Sequence, residues 1–210
     1  MSDRRDNFLT EVYKQMFKDI NRHIMVIWQS VGVLVGAFAI FALEEKKVVS
    51  LDVAATMIIL LCAWLYAHLL DAGYWYNRNL VIIANIERQF LTATDLKDIH
   101  YYFGRHRPDN KMITHLKIQR ALAVGLSALV LAFHFVDRVV PGLGLDLSHL
   151  DASRAIPYAF AVASLLYCRS VQKNRDASYA EFIRNSPGIE VVTSGIEYGV
   201  GHGFGKATGG

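Results

Sequence analysis

Two short motifs place a histidine and an aspartate three residues apart, at the ends of apolar segments. His68 is followed by Asp71, and His134 is followed by Asp137. Residues three apart share a helix face, so either pair has the spacing needed to bind a metal ion or to transfer a proton. The alternative interpretation is structural, because a histidine near the carboxyl end of a helix also interacts favourably with the helix dipole. Gln29 lies inside another apolar segment, where it serves either a transport path or hydrogen bonding between helices.

A second candidate site is the basic and aromatic segment 100–120, which includes a loop with glycine, proline and asparagine. Arginine and histidine side chains on a loop can bind a phosphate group, and neighbouring aromatic rings can stack on a base. The same cations attract anionic lipid headgroups, at about 1 kcal/mol for each residue near the surface. The sequence therefore predicts headgroup binding or, alternatively, a phosphate-bearing small ligand. The candidate residues are Arg105, His106, Arg107, Lys111, His115 and Lys117.

Small residues four apart predict close helix packing at two places. Gly32 and Gly36 lie in the first apolar segment, and Ala155, Ala159 and Ala163 repeat the spacing in the last one. Such spacing lets helix backbones approach closely in a membrane. The two hypotheses are packing inside one chain and a surface for self-association.

No combination of residues in the sequence indicates a reaction. The chain has no nucleophile–base arrangement, no cysteine and histidine spacing typical of zinc, and no dinucleotide-binding fingerprint. Gly205 and Lys206 are superficially similar to a phosphate-binding loop, but Ala207 stands where serine or threonine is required. We therefore expect no enzymatic activity, no cofactor, no bound metal and no nucleic-acid partner.

The elements that position these residues are long apolar segments. Segments 24–43 and 53–70 contain no charged residue, and only nine residues, 44–52, separate them. Each segment is about long enough to cross the ~30 Å hydrocarbon core of a bilayer as a helix. Because the connection is so short, the two helices must lie side by side and antiparallel. The sequence thus predicts a transmembrane hairpin.

Segments 121–136 and 156–171 complete a prediction of four spans. Segment 156–171 is short for a span, at ~24 Å, so it requires local thinning of the bilayer or an Arg169 side chain that reaches the interface. The charges support four spans, because 18 of the 22 lysines and arginines then fall on one side of the membrane. The positive-inside rule places both termini on that side, in the cytoplasm.

The composition agrees with a chain that is partly in lipid and partly in water, since 53% of its residues are hydrophobic and 20% are charged. The polar N-terminus and the length of the first apolar segment argue against a cleaved signal peptide. The predicted segments are a cytoplasmic amphipathic helix (1–23), a transmembrane hairpin (24–70), a cytoplasmic helix with a basic loop (71–120), a second transmembrane pair (121–171), a cytoplasmic helix (172–187) and a glycine-rich disordered tail (188–210).

The predicted fold class is therefore all-α: a polytopic integral membrane protein with four transmembrane helices and helical cytoplasmic extensions. The favoured function is that of a non-enzymatic, self-associating multi-pass protein of the plasma or inner membrane. It would act as a membrane scaffold, a sensor or a pore-type effector, with the lipid bilayer, anionic headgroups and further copies of itself as partners. The alternative is a small-ion channel or transporter that uses the histidine and glutamine residues of the spans.

Overall fold

The structure, a computed structural model, describes residues 2–92, 95, 107–142 and 151–187, without the side chains of residues 2, 23, 24, 26, 27, 29, 30 and 142. Its regular elements are helices, and no strand occurs within these ranges. The four long helices are α1 (Ser2–Glu45), α2 (Leu51–Phe90), α3 (Thr114–His134) and α4 (Ile156–Arg184). A π-helical turn (Phe135–Val139) and a 3-10 turn (Val140–Gly142) extend α3, and a 3-10 turn (Ala152–Ala155) precedes α4. The all-α prediction is confirmed.

The helices are longer than the apolar segments inside them. At 1.5 Å per residue, α1 and α2 measure about 66 Å and 60 Å, roughly twice the ~30 Å hydrocarbon core. Proline placement explains this length, because a proline interrupts a helix in its interior but is tolerated in the first turn. Pro157 lies in the first turn of α4, and the three other prolines, at 108, 141 and 187, lie outside the four long helices.

A tight turn joins α1 to α2. Lys47 adopts a left-handed conformation with φ of 58°. The Val48 N–H donates to the Leu43 carbonyl at 2.9 Å, and the Lys47 N–H donates to the Glu44 carbonyl at 2.7 Å. These two bonds satisfy carbonyls that the end of a helix leaves without partners. Ser50 then begins α2, since its Oγ accepts from the backbone N–H three residues later at 3.3 Å.

The chain forms two compact units, each built from separate stretches of sequence. Unit 1 comprises the described residues within Met1–His23, Tyr74–Asn110 and Ser178–Gly210. Unit 2 comprises Ile24–Gly73 and the described residues within Lys111–Ala177. All four apolar segments belong to unit 2. Its core surrounds α2, which supplies six of the twelve buried residues of the main hydrophobic cluster, while α1 and α3 supply three each.

Two helices are long and apolar enough to cross a bilayer, judged by length and composition. They are α2 and the extended α3 (Thr114–Val139), with mean hydropathies of 2.1 and 1.7 over their most apolar windows. Judged on their described residues, α1 and α4 do not meet both conditions. Composition therefore supports two of the four predicted spans, and four spans remain a prediction.

Large hydrophobic side chains are exposed mainly on unit 2. All the exposed ones in the described ranges belong to it, except Phe8 and Phe90. They include Trp28 on α1, Leu129 on α3 and Leu166 on α4, with exposed fractions of 68%, 66% and 59%. Both units bury polar side chains: Asn77, Asn79 and Glu87 in unit 1, and Asp52 and His134 in unit 2.

Candidate functional site

The main polar feature of unit 2 is a buried carboxylate. Asp52, in the first turn of α2, is 4% exposed. Nη2 and Nε of Arg138 donate to its two oxygens at 2.8 Å and 3.2 Å. Nε2 of His134 lies 2.8 Å from Oδ1, and the Ser153 hydroxyl lies 3.0 Å from Oδ2. One carboxylate therefore connects the start of α2, the end of α3 and the turn before α4.

His134 is fully buried and has a partner at each ring nitrogen. Because the carboxylate of Asp52 only accepts hydrogen bonds, Nε2 of His134 carries a proton. Nδ1 lies 3.1 Å from the Tyr158 hydroxyl, and that hydroxyl can also donate to the Leu131 carbonyl at 3.4 Å. We call the connected group the Asp52 cluster. It consists of Asp52, His134, Arg138, Asp151, Ser153 and Tyr158.

Local sequence explains how the cluster is assembled. Asp52 lies near the positive amino end of the α2 dipole, which favours a carboxylate there. His134 and Arg138 are four residues apart at the carboxyl end of α3, so they share a helix face at the end that favours cations. Asp151 accepts the Ser153 backbone N–H at 3.0 Å, and this bond caps the 3-10 turn that carries Ser153.

Ion pairs and hydrogen bonds stabilise the charged forms of the cluster. Hydrogen bonds from Arg138, and then from His134 and Ser153, hold the pKa of Asp52 below its usual range although burial acts in the opposite direction. The same bond to Asp52 raises the pKa of Arg138. Nη2 of Arg138 also lies 3.5 Å from the Asp151 carboxylate, and the hydrogen bond to Ser153 lowers the pKa of Asp151. The ionised forms of both carboxylates are therefore stabilised.

The bonding order of the cluster suits proton binding. A neutral His134 accepts the Tyr158 hydroxyl proton at Nδ1; a protonated His134 donates there, and Tyr158 then donates to the Leu131 carbonyl. Both arrangements are fully hydrogen bonded. The order differs from that of a serine nucleophile activated by histidine, because the Ser153 hydroxyl lies against the carboxylates of Asp52 and Asp151. In the described ranges, no group of three or more metal-binding side chains occurs.

The structure gives the predicted histidine–aspartate pairs other partners. His134 bonds to Asp52, whereas Asp137 is exposed. The His68 ring packs edge-on against Trp64, with a centroid distance of 4.4 Å. Asp71 forms an ion pair with Arg175 at 2.6 Å. His134 and Asp71 thus bond to side chains of other helices, and His68 packs against Trp64 of its own helix. The Gln29 side chain lies outside the described residues.

The predicted small-residue positions divide into packed and open ones. A side chain at Gly36 would contact Leu61 at 3.5 Å, so this glycine packs within the chain. A side chain at Gly32 would meet nothing within 4 Å. Ala155, Ala159 and Ala163 are exposed. Gly32 and the three alanines are therefore available for contacts with another molecule.

The predicted basic site is divided between the two units. In unit 1, the Arg107 guanidinium lies 6.0 Å from the centre of the Tyr76 ring, and the Tyr179 hydroxyl donates to the Arg107 carbonyl. The other described members are exposed and belong to unit 2. These are Lys111, His115 and Lys117. Arg105 and His106 lie outside the described residues, as does the tail 188–210.

Unit 1 contains a second buried carboxylate. Glu87 accepts a hydrogen bond from the Tyr13 hydroxyl at 2.9 Å, which joins α1 to α2. Its other oxygen, Oε2, is buried with no hydrogen-bond partner among the described residues. Burial raises the pKa of Glu87 to about 7, and burial together with the bond to Glu87 raises the pKa of Tyr13 to about 12. Glu87 therefore takes up a proton near neutral pH.

Sequence reasoning missed most of the Asp52 cluster. It identified His134, but not Asp52, Arg138, Asp151, Ser153 or Tyr158. A partial signal exists: Asp52 directly precedes one apolar segment, Arg138 lies two residues after another, and Arg138 is four residues from His134. Ser153 and Tyr158 carry no comparable signal, because only the fold brings them near Asp52.

No protein-family model matches the chain, and no curated protein or solved structure is significantly similar to it. The geometry of the two buried carboxylate sites and of the exposed surface is therefore the basis for the proposed function.

Proposed function

We propose that this chain is a non-enzymatic, multi-pass protein of the cell membrane that self-associates and acts as a membrane scaffold, sensor or pore-type effector. The observation that carries the proposal is the distribution of polarity in unit 2. Large hydrophobic side chains such as Trp28 and Leu129 are exposed, while the charged Asp52 and the polar His134 are buried. Exposed apolar surface on this scale is typical of contact with lipid or with other subunits.

Helix geometry is consistent with the same proposal. All backbone polar groups must be satisfied inside lipid, and long uninterrupted helices satisfy this condition. Under the four-span topology, the Asp52 cluster lies at the non-cytoplasmic ends of the spans. There it connects the loop before α2 with the turn before α4, and one ionic cluster would hold three helix ends in register.

The self-association part of the proposal is supported by the open small residues. Gly32 on α1 and the alanines 159 and 163 on α4 are exposed, and a Cβ at Gly32 would meet no atom within 4 Å. In lipid, helices associate through close packing at small residues rather than through the hydrophobic effect. A second copy of the chain is therefore a suitable partner for these surfaces.

Membrane integration and topology are tested together in cells. We expect the protein to remain in membranes after an alkaline carbonate wash. In a background with both native cysteines replaced by alanine, Lys47→Cys and Ala152→Cys should react with an impermeant maleimide in intact cells. Lys117→Cys should react only after permeabilisation. Release by carbonate would contradict membrane integration, and labelling of Lys117→Cys in intact cells would contradict the four-span topology.

A second candidate function, passage of protons or small cations, is supported by the Asp52 cluster itself. A buried histidine between a carboxylate and a hydroxyl is a common component of proton pathways in membranes. Proton flux into liposomes that contain the protein, measured for the native chain and for His134→Gln, distinguishes this candidate from the first. Equal flux for the two proteins would exclude a role for the cluster in transport.

A further inference from the structure

Unit 2 contains a cavity of about 400 Å³ between α2, α3 and α4. Ile59, Ala123 and Ala161 contribute to its apolar wall, and Tyr66, Arg169 and Gln172 contribute polar atoms. Among the described residues that line the cavity, Arg169 is the only charged one. The cavity is thus mainly apolar and carries a single positive charge.

The three larger polar side chains lie towards one end, and the hydroxyls of Ser127 and Ser164 line other parts of the wall. On α4, Arg169 and Gln172 follow Ala161 by two to three turns, and on α2 Tyr66 follows Ile59 by two turns. The rise from Ala161 to Gln172 is about 16 Å. This length equals about half of the ~30 Å hydrocarbon core, which is the depth of one leaflet.

We propose that this cavity binds one acyl chain of an anionic amphiphile, with the phosphate or carboxylate head at Arg169 and the chain directed towards Ala161. The proposal rests on the membrane integration proposed above. Arginine forms strong paired hydrogen bonds with phosphate or carboxylate, and the amide of Gln172 can donate a further one. The apolar wall would cover the acyl chain and so remove its apolar surface from water.

Charge distinguishes this cavity from its neighbour. A second cavity of about 610 Å³ lies on the other side of the contact between α2 and α4, and Ala63 and Ser164 line both. It also contains an arginine, Arg175, but Asp71 pairs with that guanidinium at 2.6 Å. Arg169 has no such carboxylate in the described part of the chain. The Arg169 charge at the first cavity can therefore pair with an anionic head, whereas the Arg175 charge at the second cavity is already paired with Asp71.

The two native cysteines provide a direct measure of occupancy. Cys62 and Cys168 are the only cysteines of the chain, both are free thiols, and both line the first cavity. A bound acyl chain would therefore slow the reaction of both thiols with a small maleimide. No engineered label is required.

The test uses the full-length native protein, purified and delipidated in mild detergent. Phosphatidylglycerol, palmitate and phosphatidylcholine are titrated separately, with binding followed by native mass spectrometry and by the rate of thiol labelling. We expect phosphatidylglycerol or palmitate to bind about fivefold or more tightly than phosphatidylcholine, since one charge contact distinguishes them. Tighter binding of palmitate would identify a free fatty acid as the ligand, and tighter binding of phosphatidylglycerol would identify a phospholipid.

Matched variants separate the site from general lipid binding. Arg169→Gln should lower the affinity for the anionic ligand about fivefold, whereas Lys173→Gln, an exposed cation on the same helix that does not line the cavity, should leave it unchanged. Ala161→Leu fills the apolar end and should abolish thiol protection. Its control is Ala128→Leu, at an exposed position outside the cavity.

Three outcomes would overturn the proposal: equal affinity for anionic and zwitterionic lipid, unchanged affinity in Arg169→Gln, or thiol protection that follows dimer concentration instead of lipid. The last would identify a second copy of the chain as the occupant. Failure here is distinguishable from failure of membrane integration, because a protein that resists the carbonate wash but shows no selective lipid binding contradicts only the lipid site.

Discussion

At the scale of single residues, Asp52 shows how a charge is tolerated in an apolar bundle. A buried carboxylate loses its hydration, and only close donors on all sides offset that loss. Arg138, His134 and Ser153 supply these donors from two other parts of the chain. Removing one member of such a group leaves the rest buried without a counter-charge, which is strongly destabilising.

Asp52→Asn should therefore destabilise unit 2 markedly. The change leaves Arg138 without its main carboxylate, and we expect a loss of about 2 to 4 kcal/mol in the free energy of unfolding. Asp137→Asn is the control, since Asp137 is exposed, and it should change the free energy by less than about 0.5 kcal/mol. Denaturant unfolding in mild detergent measures both. Equal effects would mean that Asp52 is not the partner of His134 and Arg138.

Glu87 should make unit 1 sensitive to pH. Its pKa is about 7 in the folded protein and near 4.5 in the unfolded chain, so between these values only the folded form holds the proton. Stability should therefore fall as pH rises from about 4.5 to 7, by about 2 kcal/mol after allowance for solvent screening, and then level off. The melting temperature of the purified protein between pH 4.5 and pH 8 measures this dependence.

Glu87→Gln should remove most of that pH dependence, because the amide oxygen still accepts from Tyr13 and carries no charge. Glu181→Gln, at an exposed position of the same unit, should retain the native profile. A native melting temperature that rises from pH 5 to pH 8 would show that Glu87 is ionised in the folded protein.

At the scale of elements, helical periodicity and proline placement predicted that the chain is helical, and each apolar segment marks only part of a helix. The predicted boundary between residues 23 and 24 lies inside α1, and the boundary between 70 and 71 lies inside α2. The reason is physical. Hydropathy reports a change of environment for side chains, whereas a helix ends only where the backbone meets a proline or a stable cap such as the turn at Lys47.

Substitution of Gly32 tests whether α1 carries an association surface. Gly32→Leu should weaken self-association at least about tenfold, since a large side chain prevents close approach of a second helix. A Cβ added at Gly32 or at Gly125 on α3 meets no atom within 4 Å, so Gly125→Leu is a matched control that should associate normally. Energy transfer between labelled copies in liposomes gives the bound fraction. If both variants associate like the native protein, α1 does not form the interface at Gly32.

At the scale of the whole molecule, the sequence predicted the all-α class and most of the apolar segments, but little of the candidate site. Asp52 and His134 are 82 residues apart, and Asp52 and Ser153 are 101 apart. Local spacing rules report only neighbours on one helix, so they could not detect these pairs. The same limit explains why the spacing rules did not detect Glu87, whose partner Tyr13 is 74 residues away.

The discontinuous construction of unit 1 has a consequence for biosynthesis. Its final stretch supplies Tyr179, which is buried, and Ser186, which bonds to Asn85 at 2.9 Å. At translation rates of about 5 to 20 residues per second, roughly 5 to 20 seconds separate the synthesis of Asn85 from that of Ser186. During that interval both intervening apolar segments, 121–136 and 156–171, are synthesised. Unit 1 can thus complete its fold only after all the apolar segments have been synthesised. An incomplete product would leave the surface that contacts Tyr179 uncovered and accessible to cellular proteases.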